Sequence, residues 1–263
     1  MPRILSVSNQ KGGVGKTTTA INLAASLAHL GRPTLLVDLD PQGNASSGVG
    51  CPMSEVDAGA YDALIGEATL AEVSWGTSVD GLDVVPAIEA LLGAEIELYG
   101  LERRERRLEE LLRQANGFYD YVICDGPPSL GMLTVNILTA ADAVLVPVQA
   151  EYFALEGLGM LMRTMDQVRR GLNPRLRREG IIVTMRDPRS RLANEVEEEL
   201  RRVFGAEVFD TVIPRNVRLS EAPSHGEPAL SYEPSSAGAR SYLRLAEELL
   251  RRNESRLAGE VVA

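Results

Sequence analysis

Ile4-Leu5-Ser6-Val7-Ser8-Asn9-Gln10-Lys11-Gly12-Gly13-Val14-Gly15-Lys16-Thr17-Thr18-Thr19 is the stretch that decides the fold. Residues 4–8 form a short apolar run with β-branched members, which predicts a strand. Three glycines follow at 12, 13 and 15. Residues 20–30 then repeat apolar side chains at helical spacing and stop at Gly31, which predicts a helix with a glycine end. Strand, glycine-rich turn and helix together point backbone N–H groups at an anion. In such a loop Lys16 would reach the β- and γ-phosphates of a nucleotide, and the Thr17 hydroxyl would hold Mg²⁺.

The lysines sharpen this reading. Of 27 basic residues, 25 are Arg; the only two Lys are Lys11 and Lys16, both in this loop. A general preference for Arg explains the excess but not why both lysines share seven residues. An ammonium is a compact point charge, whereas a guanidinium is a wide planar fork. A phosphate already wrapped in N–H groups has room for the first. The ordinary pattern G-x-x-x-x-G-K-[ST] needs a glycine at position 10, where this chain has Gln10.

A chain of 263 residues is long enough for one large α/β domain, and 1–263 is read as such, with 253–263 a loose tail. Strands are expected at 34–39, 82–86, 121–124, 143–148, 181–184 and 208–213. Helices are expected at 89–116 (one long or two broken), 130–140, 155–172, 192–204 and 238–252. This alternation implies a mostly parallel central sheet with helices on both faces, a P-loop-NTPase-like α/β fold. Ligands then bind beyond the carboxyl ends of the strands. Cys51 and Cys124 are far apart in sequence with no C-x-x-C, which argues against a zinc ribbon or a thiol redox pair and suits a reducing cytosol. No signal peptide is expected, since Met1-Pro2-Arg3 leads straight into the first strand, and no apolar run reaches 18 residues.

Carboxylates occupy the predicted strand ends. Asp38 and Asp40 follow Leu35-Leu36-Val37, and a period of two sets them on one side. Asp125 follows Tyr121-Val122-Ile123-Cys124 and suits the role of holding Mg²⁺ directly or through water. Phosphoryl transfer also needs its attacking water positioned, which a second carboxylate can do.

Lys11-Gly12-Gly13-Val14-Gly15-Lys16-Thr17 resembles the deviant Walker A motif of the ParA/MinD group of ATPases. Asp38-Leu39-Asp40-Pro41-Gln42-Gly43-Asn44 resembles the switch I segment of Soj-type chromosome-partitioning ATPases, and Asp125-Gly126-Pro127-Pro128 their switch II. Residues 212–218 through 221–224 resemble their adenine-side loop. The resemblance implies that ATP is held by Lys11, Gly12, Gly13, Val14, Gly15, Lys16, Thr17 and Thr18, with Pro214 and Asn216 at the base. It implies catalytic roles for Lys11, Lys16 and Asp40, the first reaching across a nucleotide-sandwich homodimer and the last orienting the hydrolytic water. Thr17, Asp125 and Asp40 are the candidate Mg²⁺ ligands. With no lysine outside the loop, the guanine-reading N-K-x-D motif cannot exist, so ATP is expected.

The net charge of −10 is unevenly spread. Residues 163–218 carry 13 Arg against 9 Asp and Glu, a local +4, while the remainder carries −14. Phosphate binding needs a local basic surface, not a basic protein. The resemblance places DNA-contacting arginines at Arg189 and Arg218, and implies sequence-independent binding of double-stranded DNA, a ParB-type partner that stimulates hydrolysis, and a cytoplasmic, nucleoid-associated location. The alternative, a MinD-like membrane-associated ATPase, needs a basic amphipathic C-terminal helix. Residues 257–263 are short and acidic instead, so no stable membrane association is expected. An iron-protein-type carrier would need paired cysteines at a dimer seam.

Overall fold

The structure, a computed structural model, describes residues 1–151 and 154–262, with side chains described except at 154–156 and 257–262. Seven strands form one sheet: β1 (Arg3–Val7), β2 (Thr34–Asp38), β3 (Trp75–Gly76), β4 (Leu82–Val85), β5 (Tyr121–Asp125), β6 (Ala143–Gln149) and β7 (Arg177–Thr184). Their order is β3-β4-β2-β5-β1-β6-β7. Every neighbouring pair is parallel except β3 with β4.

The apolar runs exist because the strands are buried on both faces. On one face Leu5, Val7, Leu36, Ile123, Leu145 and Ile182 pack against α1 (Lys16–His29) and the last helix, Ala237–Val262. On the other, Leu35, Val37, Val122 and Cys124 pack against the helices at Ala60–Ile65, Leu91–Leu98, Arg107–Leu112 and Met132–Ala140. Val144, Val146, Ile181 and Val183 continue that face under the helices at Ala154–Gly171 and Arg191–Phe204. Cys124 is a core residue, as its strand position predicts.

Helix α1 begins at Lys16, four residues before the apolar periodicity starts. Its first turn is polar: Lys16, Thr17 and Thr18 continue from the glycine loop, and Thr19 meets a hydroxyl of the last helix. The predicted stop holds: Gly31 has φ +75°. The last helix clamps α1. The Thr19 and Tyr242 hydroxyls share a 3.0 Å hydrogen bond. The N–H of Ala229, just ahead of that helix, donates to Asn22 Oδ1 at 2.8 Å.

Two expectations need correction. Residues 208–213 are not a strand. Phe209 N and Ile213 N donate to Ile181 and Val183 of β7 at 2.9 Å each, but Glu248 captures the N–H groups between them, those of Asp210 (2.9 Å) and Thr211 (2.8 Å). Of the two, Thr211 N is the donor that the parallel register would send to Val183 O, and its diversion leaves only isolated bridges. Residues 253–262 are not a loose tail but continue the last helix; Asn253 donates to the Tyr121 hydroxyl at 3.1 Å, and Arg256 pairs with buried Glu179. The 89–116 region takes the second of its two expected forms, two broken helices, Leu91–Leu98 and Arg107–Leu112. Arg103 takes φ +54°, and Asn136 holds the turn that follows by accepting from Leu108 N and donating to Arg104 O.

Candidate functional site: a phosphate cradle beside three carboxylates

The loop between β1 and α1 turns through Gly13 (φ +74°) and Gly15 (φ +87°), positions that a side chain would strain. None of the N–H groups of residues 12–18 donates a hydrogen bond among the described residues. Seven consecutive free donors at the positive end of α1 make an anion cradle. Its rim is fastened from outside. Lys11 N donates to Asn9 Oδ1 at 3.0 Å, and Asn9 Nδ2 donates to Pro147 O at 2.8 Å. Thr184 Oγ1 donates to Val14 O at 2.8 Å.

The two lysines differ in setting. Lys16 is buried, and its Nζ reaches back to Lys11 O at 3.3 Å. Burial lowers its pKa, opposed by the charges of Asp125 and Asp40. Lys11 lies at the surface, and its Nζ pairs with Glu151 at 2.8 Å.

Register aligns the carboxylates. Asp38 of β2 lies directly opposite Asp125 of β5, which lies opposite Val7, the last strand residue before the loop. Asp38 is fully buried; it accepts from Ser46 N and Oγ, both at 2.7 Å, and from Asp40 N at 3.1 Å. Ser46 Oγ in turn accepts from Ala87 N at 3.0 Å. Asp40 stands beyond the strand end, so the alternation that was to align it with Asp38 stops short. It sits in a turn, half-exposed, and accepts from Gln42 N at 3.0 Å. Asp125 is fully buried, and among the described residues neither of its carboxylate oxygens has a hydrogen-bond partner. Burial and the neighbouring Asp38 raise its pKa well above the usual range, with Thr17 and Lys16 drawing it down.

A buried carboxylate whose neighbours are another carboxylate, the Thr17 hydroxyl and one ammonium is costly unless a cation joins it. Thr17 and Asp125, with Asp40 at the rim, therefore fit a Mg²⁺ ion that brings its own phosphate ligands. Among the described residues no three acidic, imidazole or thiol side chains form a closed cage.

Burial pushes Asp38 up to about 6 from 3.8, against the bonds from Ser46 and Asp40. A carboxyl so raised holds its proton more tightly folded than unfolded. Its stabilising effect is full below the unfolded value and is lost as pH rises through the folded one. Without metal, stability should therefore fall between about pH 4 and 6 by roughly 1.4 kcal/mol per unit of pKa difference. Urea midpoints of Asp38→Asn should lack this component; a wild-type slope that persists in the variant assigns it elsewhere.

The expected base-side residues lie on a segment paired with the chain just past the end of β7. Pro214 bridges Arg186, two residues past Thr184, and Arg215 N donates to Arg186 O at 3.1 Å. Asn216 Oδ1 accepts from Arg218 N at 3.1 Å. The same bridge draws together the loops that carry Arg189 and Arg218. Both guanidinium groups are in surface ion pairs. Arg189 makes a two-pronged pair with Asp187 at 3.0 Å each, and Arg218 pairs with Glu221 at 2.6 Å.

A family model described as an AAA domain matches residues 2–178. The chain is 53% identical over 251 residues to the chromosome partitioning protein ParA of Myxococcus xanthus (strain DK1622), spanning 95% of this chain and 89% of that one. It is 52% identical over 249 residues to the sporulation initiation inhibitor protein Soj of Bacillus subtilis (strain 168), spanning 95% and 98%.

The chain belongs to the ParA/Soj family.

A solved relative, cobyrinic acid a,c-diamide synthase from Mycobacterium smegmatis with a bound ATP analogue and magnesium, superposes with a TM-score of 0.85 at 36% identity, over 97% of each chain. The ParA/Soj likeness takes in residues 51–116 and most of the last helix, where no motif was legible. The iron-carrier alternative loses its footing in this ParA/Soj chain, because Cys51 and Cys124 are both buried and free. Among the described residues no helix is long and apolar enough to cross a membrane. Asn9, Ser46, Glu151 and Thr184 were missed in the sequence; three are single polar residues at or just past strand ends and Ser46 lies in the short helix Asn44–Ser47, with no pattern to mark them.

Proposed function

We propose that this ParA/Soj chain is a Mg²⁺-dependent ATPase of DNA partitioning that forms a homodimer around ATP. The observation that carries the reading is one crevice, at the carboxyl ends of β1, β2 and β5, where seven free N–H groups meet an unpaired buried carboxylate. When bound, Mg²⁺ supplies charge neutralisation for the phosphates. The cradle N–H groups and Lys16 bind and orient the polyphosphate. Thr17 and Asp125 hold the metal side. Asp40, on the open rim, accepts a hydrogen bond from the attacking water and aligns it. Pro214 and Asn216 flank the adenine.

Lys11 leaves Glu151 on dimerisation and reaches the partner's nucleotide. That ion pair is surface-exposed, of a kind worth only about 0–1 kcal/mol, so it opens readily. The dimer then presents two copies of the Arg189 and Arg218 surface to one duplex, which raises affinity through effective concentration. DNA phosphates displace Asp187 and Glu221 from these exposed pairs. A ParB-type partner stimulates hydrolysis and releases the dimer on the nucleoid, in the cytoplasm.

Gel shifts and vesicle flotation, each with and without ATP, test this reading. DNA binding should require ATP, ignore sequence, and weaken with salt at a log–log slope of about −0.9 per neutralised phosphate. Arg189→Ala or Arg218→Ala should flatten that slope by about one unit for each phosphate left without its arginine, and spare the ATPase. A nucleotide-bound dimer that ignores plasmid DNA at low salt but binds anionic vesicles would favour the MinD-like alternative.

A further inference from the structure

The Val14–Gly15 peptide is gripped on one side only. Its carbonyl accepts the Thr184 hydroxyl at 2.8 Å, a buried bond between the loop and the last residue of β7. Its N–H, on Gly15, finds no acceptor among the described residues. The peptide is trans, so its C=O and N–H lie in one plane and point opposite ways. Holding the carbonyl toward β7 therefore turns the Gly15 N–H away from β7, among the other free donors of the cradle. Gly15 tolerates the φ of +87° that this needs but does not enforce it. A loop with glycines at 12, 13 and 15 has many other conformations to choose from, and the Thr184 bond selects among them.

A second observation points to the same corner. Met185, the next residue, has φ +50°, sparsely populated for a bulky side chain. The strain persists because Arg186 is fixed on every side. Its N–H donates to Ile213 O at 3.0 Å, its carbonyl accepts from Arg215 N, and its guanidinium reaches Glu197 and Asn194. The Met185 methyl lies 3.5 Å from where a Cβ on Gly15 would stand. The end of β7 thus bends sharply to bring two consecutive side chains against two consecutive loop residues.

We infer that Thr184 is a positioning residue for nucleotide binding: it does not touch the nucleotide, but it aims the Gly15 N–H as a phosphate donor. This rests on the nucleotide reading above. The bond is already made in the nucleotide-free protein and lies across the loop from Asp40, away from the attacking water, so it aims the donor for bound ATP and for the transition state alike. Its loss therefore weakens ground state and transition state alike, which raises KM and leaves kcat in place.

Thr184→Val keeps the shape and removes the donor; Thr184→Ser keeps the donor. Steady-state ATPase assays should run at a temperature where circular dichroism shows both variants folded. For Thr184→Val, KM for ATP should rise by about tenfold to a hundredfold, the worth of one hydrogen bond to a charged oxygen, with kcat within about threefold. Thr184→Ser should return KM to within about threefold of wild type, on the same scale. An unchanged KM in Thr184→Val overturns the inference. So does a lower kcat at wild-type KM, which reports fewer folded molecules, and so does a Thr184→Ser variant as poor as Thr184→Val. A wild-type chain with no ATPase and no ATP binding would instead remove the nucleotide reading itself.

Discussion

Lys16→Ala is expected to abolish ATP binding while leaving the fold intact. The ammonium is buried at the cradle floor, and its one hydrogen-bond acceptor among the described residues is the Lys11 carbonyl, at 3.3 Å. Burial already disfavours its charge. Removing it relieves a desolvation cost and forfeits little in the empty protein. With nucleotide the balance inverts, because the variant lacks a charge-assisted hydrogen bond worth about 1.5–3 kcal/mol to each phosphate oxygen it would meet. Affinity should fall by about a hundredfold or more. Lys16→Arg should fail nearly as badly, since the planar fork needs width that the loop lacks. Titration calorimetry with ATP and a thermal melt of the empty protein separate the two effects. Near-wild-type affinity in either variant would refute the phosphate-cradle assignment.

Asp40→Ala should bind ATP and Mg²⁺ but hydrolyse about 10²–10⁴-fold more slowly, the usual worth of a positioned carboxylate. Asp40 lies beyond the end of β2, half-exposed, and among the described residues its carboxylate accepts one hydrogen bond, from Gln42 N. Little stability rides on it. Slow hydrolysis traps the sandwich, so sedimentation with ATP should show a doubled mass for this variant under conditions where wild type cycles back. Hydrolysis at the wild-type rate would remove Asp40 from the chemistry and leave Asp38 or Asp125 to orient the water.

The sheet was legible because its strands are buried on both faces. Leu35-Leu36-Val37 and Tyr121-Val122-Ile123-Cys124 leave no polar position for a solvent side. The end of β5 was legible for the same reason: Asp125 breaks an apolar run where the strand reaches the crevice. Residues 208–213 look like one more such strand, and only a glutamate some forty positions later, Glu248, undoes the pairing. No local pattern carries that information. The same limit hid Thr184 and Asn9. A threonine closing an apolar strand is ordinary until the Val14 carbonyl is seen 2.8 Å away, 170 residues apart in sequence. The extension of the last helix past 252 was hidden in another way: Asn253 and Arg256 look like solvated tail residues until Tyr121 and Glu179 appear beneath them.

The clamp on α1 bears on when the protein becomes active during its own synthesis. The loop, Asp40, Asp125, Pro214 and Asn216 all precede residue 217, yet the helix that bears the loop is fastened by Ala229 and Tyr242. A nascent chain halted near residue 225 owns every atom proposed to touch nucleotide but leaves one side of α1 uncovered, with Leu245 and Leu249 still untranslated. Such a chain should not retain ATP. Competence then arrives only with the final helix, and chains cut short of it cannot join full-length chains in mixed dimers.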